Sequence, residues 1–577
     1  MRVLSDPAVR ADMETKPLDS HVQPSPSNSS DFSREVSVDE ETGSSPAVMR
    51  MPTSKAAAQG ILRVVPPSRV LMGFAQVFSN NTSWTHVPWH SPDDLKESLL
   101  SPSNSREHEV ADRVYEASKP TFRVGTFVSH VWNSARWRKF LALCYSLNVT
   151  FAVVTATLSW LVLILGAVTY YGLFGMGGRS FLAGLFVWVP TIIFFLCVFW
   201  GHLVYCPAHD MWVDKLCIHQ TRAKLKESGV NALPEIVATS DKMIMLWDPE
   251  YFDRLWCCAE VAIFCSSKGG PTEVEFVPLW VAPWVLSTIL TQLLCISISE
   301  RLFSLIGSTG AYLSEAQLVP ENFVPLVAQF WGIGVGFWLG ALPTVPLSYY
   351  AMKSKMNNHR LMRRILRRFD LNGTKCAVES DREQVLALVG KLYRDYPEPI
   401  QAFNSFVRKD LAKIVEQKVV GASEHHIRYR LCLLIFLPVA FSSAANIFGC
   451  DGIECYVAAT EELGPGAVPP EQMGTNLLSW LVGVFFVYPT SYPVMLRLML
   501  AAENRVGKSR LLPFVQTLAI IVADAYMGFA EGLVAGLLNS TTQRLVSEDI
   551  STSGPWIVAS TLYLAVLLIW NWYLYRG

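Results

Sequence analysis

"TIIFFLCVFWGHLVY" (residues 191–205) is followed within a few residues by "MWVDKLCIHQ" (211–220). The first run is apolar enough to lie in hydrocarbon. The second alternates apolar and polar residues, like a buried strand passing into a polar loop. A strand of soluble α/β core directly against a membrane helix needs the remainder of its domain, and where that lies decides the fold.

Crossing the hydrocarbon takes roughly twenty apolar residues. About eight stretches meet that length: 151–172, 181–204, 278–299, 323–350, 430–448, 477–500, 512–538 and 554–574. Composition agrees, since 51% of the 577 residues are hydrophobic. A net charge of −1 argues against a nucleic-acid binder and leaves electrostatic contacts to local patches. Lys and Arg crowd 352–429, which opens with "KSKMNNHRLMRRILRRFDL", and the loop "AAENRVGKSR" (501–510); "GCDGIECYVAATEELGPGAVPPEQMGTN" (449–476) has neither. By the positive-inside rule, both termini and the segment 201–277 are expected in the cytoplasm.

No secretory signal is read at the start. Residues 1–60, with "DSHVQPSPSNSSDFSREVSVDEETGSSP", are too polar to bury a core and read as a disordered tail. Residues 61–120 read as a cytoplasmic helical or linker segment. Cys450 and Cys455 share the one non-cytoplasmic loop with two cysteines and are the candidate disulfide.

The missing half of the domain lies before the first span. In "TFRVGTFVSHVWNSARWRKFLALCYSLN" (121–148) a strand precedes a helix. After the first two spans come "MWVDKLCIHQ" (strand, loop), "ALPEIVATS" (helix), "DKMIMLWDPEYF" (strand, loop), "DRLWCCAEVAIFCS" (helix) and "EVEFVPLW" (strand). Such alternation predicts a parallel sheet with crossover helices. The α/β domain is thus expected from 121–148 and 205–277, interrupted by a transmembrane hairpin at 149–204. Two spans (278–351), a cytoplasmic helical subdomain (352–429) and four spans (430–577) follow.

Three of these segments carry a family resemblance. "TFVSHVW" (126–132) resembles the first strand of Toll/interleukin-1 receptor (TIR) domains. "MWVDKLCIHQ" is similar to the Trp-(Val/Ile)-Asp-x-x-Cys-Ile-Asp-Gln signature of the related heterokaryon-incompatibility domains. "MIMLWDPEYFDRLWCCAEVAIF" (243–264) resembles the TIR segment in which Tyr, Trp-Cys and a helix-opening Glu follow one another. The resemblance covers about a quarter of the chain. It implies a cytoplasmic flavodoxin-like α/β domain within an α-helical polytopic membrane protein. Three features depart from the pattern. His219 stands where the signature has Asp, "WNSAR" (132–136) replaces the acidic pair after the first TIR strand, and the loop after the second strand lacks an obvious TIR-like Pro or Gly turn before "LPEI" (233–236).

By the same resemblance, Glu260 matches the glutamate with which TIR enzymes cleave the nicotinamide–ribose bond of NAD. Nicotinamide leaves as a neutral base and positive charge gathers on the ribose, where a carboxylate stabilises it. The competing reading is a helix-surface glutamate serving fold or partner contacts. Trp256 lies four residues before Glu260 and shares its helix face. Ser129, His130, Trp132 and Asp214 fall at strand carboxyl ends, where open parallel sheets bind ligands. Trp132 can stack a base; for Trp132 and Trp212 the competing reading is packing. Cys206, His209, Cys217 and His219 lack paired Cys-x-x-Cys knuckles, so no metal is assigned and NAD enters only as a candidate substrate.

The basic helix at 359–371 suggests contact with anionic membrane lipid, against plain positive-inside bias. Gly332, Gly336 and Gly340, and Gly528, Gly532 and Gly536, form small-residue faces suited to close helix packing. Asp524 lies one turn before the second face and Glu531 beside it. An acid at the bilayer centre costs roughly 2.5–3.5 kcal/mol on insertion scales and usually faces protein or water. Three functions remain open: a signalling protein whose TIR-like domain consumes NAD, a channel or transporter regulated by that domain, and a non-enzymatic scaffold acting through TIR–TIR self-association.

Overall fold

The computed structural model describes residues 55–79, 111–171, 180–205, 210–315, 323–376, 378–418, 424–444, 447, 470–546 and 550–576. The tail to residue 54, the Cys206 and His209 pair, and Cys450 and Cys455 lie outside the described residues.

Among the described residues two sheets are present. A minimal antiparallel pair joins β1 (Arg63–Val64) to β2 (Lys119–Pro120). The main sheet is parallel throughout, with β3 (Thr126–His130), β4 (Met211–Trp212), β5 (Lys242–Trp247) and β6 (Val274–Pro278) in the order β4-β3-β5-β6. Every residue of β3 is buried, and all of β5 except Lys242. Burial on both faces explains their apolar runs.

Thr126 and Phe127 of β3 pair with Met211 and Trp212 of β4. The segments on either side of the membrane hairpin therefore form one sheet, and the β3–β4 connection is the hairpin itself. The helix expected behind β3 and the first span are one element, α1 (Arg136–Tyr171), of 36 residues. At 1.5 Å per residue it is about 54 Å long. The return helix is α2 (Ser180–Val204). Asn148 ties the two together, donating from Nδ2 to the Val198 carbonyl at 2.8 Å with His202 Nδ1 at 3.3 Å.

The stretch 211–220 departs from its reading as strand then loop. Only Met211 and Trp212 are strand; Asp214–Cys217 is a one-turn helix, α3. Cys217 and His219 consequently do not share a strand face. Residues 61–79 and 111–120, read as a separate segment, belong to the α/β unit. Val65 exchanges both backbone hydrogen bonds with Met211, at 2.8 and 2.7 Å, covering the β4 edge.

Helix α4 (Leu255–Lys268) joins β5 to β6. The subdomain at 352–429 docks beside it. Leu255 N donates to the Lys375 carbonyl at 3.0 Å, Lys375 N donates to the Asp253 carbonyl at 2.6 Å, and the Phe252 and Phe369 rings meet edge-on at 5.6 Å.

Among the described residues, seven helical stretches are long and apolar enough to cross a membrane: Arg136–Tyr170, Gly184–Val204, Val281–Ser299, Leu326–Arg367, Pro470–Val506, Leu512–Val546 and Thr552–Tyr575. The chain is thus built as a helical membrane protein. About eight spans were expected, and the difference is 430–448. There the described chain forms two short helices, Tyr429–Ile435 and Leu437–Ser443. Pro438, lacking an N–H, starts the second and stops the first from continuing. The basic stretch after residue 350 continues the preceding helix to Arg367. There Arg360 grips both carboxylate oxygens of Glu503 at 2.7 Å and contacts Glu424, while Arg363 pairs with Glu416 at 2.8 Å. Two of its arginines are therefore engaged by protein acids.

Helix Leu512–Val546 lies tightly on Val324–Ala341 through its glycines. A β-carbon on Gly528, Gly532 or Gly536 would fall 2.7 Å from the Gly334 carbonyl oxygen, 2.9 Å from the Gln329 carbonyl oxygen and 2.8 Å from Leu326 Cα, respectively. On the facing helix the close approach is made by Gly334, against the Phe529 ring. Gly340, expected on that same face, instead abuts Ser299 of Val281–Glu315. Because Gly532 opposes backbone, which cannot yield, Gly532→Leu is expected to cost about 1–3 kcal/mol or more by overpacking. Gly554→Ala, with open space around it, should be neutral. Unfolding of the purified protein in mixed micelles measures both.

Candidate functional site

Five polar side chains gather at the carboxyl end of the sheet because strand register puts them there. Ser129 and His130 end β3. Asp214 follows β4. Tyr251 opens the turn after β5, and Glu260 sits on the second turn of α4. Ser129 Oγ donates to Glu260 Oε2 at 2.5 Å and also contacts the Tyr251 hydroxyl. Ser129 and Tyr251 are fully buried and Glu260 partly so. Burial pushes the Glu260 carboxyl up to about 8; the Ser129 hydrogen bond opposes the rise and the Asp214 charge adds to it. At neutral pH this carboxyl is mostly protonated.

A second cluster adjoins the first. The half-exposed Trp132 donates from Nε1 to Asp214 Oδ2 at 2.5 Å, and Asp214 Oδ1 accepts from the Lys215 backbone N–H at 2.7 Å. His130 Nε2 lies 3.9 Å from Asp214 Oδ1, buried and, among the described residues, without a hydrogen-bond partner. Burial brings the His130 imidazole down to about 3, against the pull of Asp214, so the ring is neutral. Phe78 packs edge-on against it at 4.8 Å. Lys215 reaches the Ser79 carbonyl at 2.9 Å with its ammonium 5.1 Å from the centre of the Trp132 ring, and Lys139 Nζ donates to the Trp132 carbonyl at 3.2 Å. Asp248 accepts from the Ser134 hydroxyl, and burial raises its carboxyl above the usual range.

Of the residues singled out from sequence, Ser129 and Glu260 are bonded, and His130 and Trp132 flank the Asp214 carboxylate. Trp256 is not with them: its Nε1 donates to Asp381 Oδ2 of the helical subdomain at 3.3 Å. Trp212 stacks on Phe127 at 4.7 Å and is core. Tyr251, Lys139, Lys215, Asp248 and Phe78 were not anticipated. Tyr251 and Lys215 lie inside the quoted motifs; Lys139 and Phe78 carry no local signal.

Among the described residues no cluster of three or more His, Cys, Asp or Glu is placed to hold a metal. His219 serves the backbone instead. Its Nδ1 accepts from the Arg222 N–H at 3.1 Å while Nε2 bonds Asp112 at 2.7 Å. The imidazole thus supplies the turn-capping acceptor that Asp would give, and Asp112 fixes its tautomer.

Comparison with family models, with curated proteins and with solved structures gives no match. The functional reading rests on the residues and their geometry.

The raised carboxyl makes a stability prediction. With a folded value of about 8 against an unfolded value of 4.5, Glu260 costs nothing below pH 4.5. Between those pH values the penalty grows by up to about 1.4 kcal/mol per pH unit, and it is constant above them. Glu260→Gln removes it. The variant should gain on the wild type in thermal stability as pH rises from 5 to 8, with no further gain above. A pH-independent difference between the two melting curves would show that Glu260 is not held neutral.

Proposed function

We propose that the α/β unit is a cytoplasmic TIR-like domain that signals by hydrolysing NAD at the nicotinamide–ribose bond, in a multi-pass membrane protein with both termini in the cytoplasm. Numbered within the domain, the strand order is 2-1-3-4, which is consistent with a flavodoxin-like arrangement. In such sheets ligands bind where the order reverses, between the first and third strands. The observation that carries the reading is that Ser129, at the end of β3, and Tyr251 and Glu260, after β5, meet at that point.

Nicotinamide in NAD is a cation. Bound against Glu260, it favours the carboxylate and expels the carboxyl proton to solvent. The carboxylate then faces the ribose as the C–N bond breaks and nicotinamide leaves with the bonding pair. Water adds to the ribose cation and loses a proton, giving ADP-ribose. Ser129 and Tyr251 hold the carboxylate in one orientation. Trp132, half-exposed, offers a face for stacking. This assigns the free enzyme a rate that climbs with pH toward about 8, where Glu260 ionises.

The test is nicotinamide release by the purified chain, with the domains held together by an enforced oligomer because TIR enzymes generally assemble before cleaving. Glu260→Gln is expected to lower turnover by about 10²–10³, the scale for losing one preorganised stabilising group, and to leave the protein folded. An enforced oligomer that binds no NAD, or one whose activity survives Glu260→Gln, would reassign the domain as an interaction module.

A further inference from the structure

Helix Leu512–Val546 carries two acids into the bundle. Asp524 is 6% and Glu531 8% exposed, and among the described residues neither forms an ion pair. Asp524 Oδ2 and Glu531 Oε2 are buried and, among the described residues, have no hydrogen-bond partner. The groups facing them are neutral. The Tyr488 hydroxyl donates to Glu531 Oε1 at 3.4 Å, and Tyr563 is within electrostatic reach of the same carboxyl. Tyr492 and Cys295 lie in reach of Asp524, with Gln292 Nε2 donating to the Tyr492 hydroxyl at 2.8 Å. Arg497, the nearby base on the same helix as Tyr492, bonds instead the carbonyls of Tyr573 and Leu574. Two ionised carboxylates without cations would be strongly disfavoured here.

The backbone opposite is irregular. Between Pro470–Val482 and Ser491–Val506 the helix passes through a wide π-turn at Gly483–Val487 and a tight 3₁₀ turn at Tyr488–Thr490. Gly483 faces the Glu531 carboxyl so closely that a β-carbon would overlap it. The second interrupted helix, broken at Phe436, meets this one there, its ring 6.0 Å from that of Tyr488 and 5.2 Å from that of Tyr492. Helix breaks and π-turns in membrane bundles concentrate at ion and substrate sites. Polar side chains continue toward both ends of the long helix. Gln516 has an unpartnered Oε1, and Gln472 bridges Asn476 and Asn539 at 2.9 and 2.8 Å. Gln516 to Asn539 spans about 34 Å along the axis, enough to cross a hydrocarbon core of about 30 Å.

We propose that Asp524 and Glu531 form an intramembrane proton relay, with Tyr488 and Tyr492 one turn apart beside them, by which the bundle moves protons across the membrane. A proton is favoured over a metal cation because it needs one oxygen rather than a coordination shell. Among the described residues, the only side-chain oxygen bonded to Glu531 is that of Tyr488. Glu531 passes its proton toward Asp524 along the tyrosine hydroxyls, each hydroxyl accepting one proton as it releases another.

The experiment uses the full chain in liposomes containing a pH-sensitive dye, with a potassium gradient and valinomycin to set the voltage. Wild-type protein should acidify or alkalinise the lumen with the sign of the voltage, and Glu531→Gln or Asp524→Asn should cut that rate at least ten-fold. Glu531→Asp, which keeps the acid, should retain part of it. Because a variant can fail to fold, the Glu260→Gln protein, which lacks the neutral carboxyl of the α/β unit, is also read by infrared spectroscopy for a protonated-carboxyl band that shifts in D2O. Flux equal to that of protein-free liposomes, flux unchanged in the double variant, flux that follows a sodium gradient, or a carboxyl band that does not exchange would each overturn the proposal. Glu260→Gln should leave the flux intact, so this result is independent of NAD cleavage.

Discussion

The structure turns on the parallel pairing of Thr126 and Phe127 with Met211 and Trp212. This short ladder closes a connection that leaves the sheet, crosses the membrane and returns. Closing a long flexible loop costs entropy that rises only slowly with length, and here most of the loop is two stiff helices stapled at Asn148 and Val198. The hairpin is thereby a positioning device. It delivers β4, and with it Asp214 and Lys215, beside the end of β3. Phe127 stacked on Trp212 and the Val65 bridge to Met211 secure the edge that two ladder residues would hold only weakly.

The site inherits its chemistry from that arrangement. Packing β3 on both faces forces Ser129 and His130 into a dry sheet end, and dryness is what neutralises both Glu260 and His130. The same α4 that carries Glu260 inward offers Trp256 outward to Asp381, so the helix bearing the candidate carboxyl also bears the joint to the helical subdomain. The backbone link between Leu255 and Lys375 lies at the start of that helix. Movement of the subdomain therefore acts directly on the element that positions Glu260.

Strands with a full apolar run, β3 and β5, were legible from residue pattern, as was the inserted hairpin. What escaped depended on distant partners. In "MWVDKLCIHQ" alternation continues to His219, but the chain turns after Trp212, where Asp214 accepts from the Lys215 N–H and His219 takes up Asp112. Residues 61–79 have too little periodicity to announce a sheet edge, and their place is fixed by Met211 and Lys215. Hydropathy registers that 430–448 is apolar but not that Pro438 interrupts it. Spacing put Trp256 on the face of Glu260, yet the long indole turns to an acid 125 residues away. Ser129 and Glu260 were separately readable; their hydrogen bond, and the neutral state it accompanies, required the fold.

Helix α1 has no joint along its 36 residues. One end is apolar enough to lie in lipid; the other begins four residues after Trp132, and its Lys139 holds the Trp132 carbonyl. Spanning helices respond to hydrocarbon thickness by tilting. A rod that tilts at one end must swing at the other, and the swinging end here carries the indole bonded to Asp214. The thickness of the bilayer is in this sense a mechanical input to the carboxyl end of the sheet, read through a single lever.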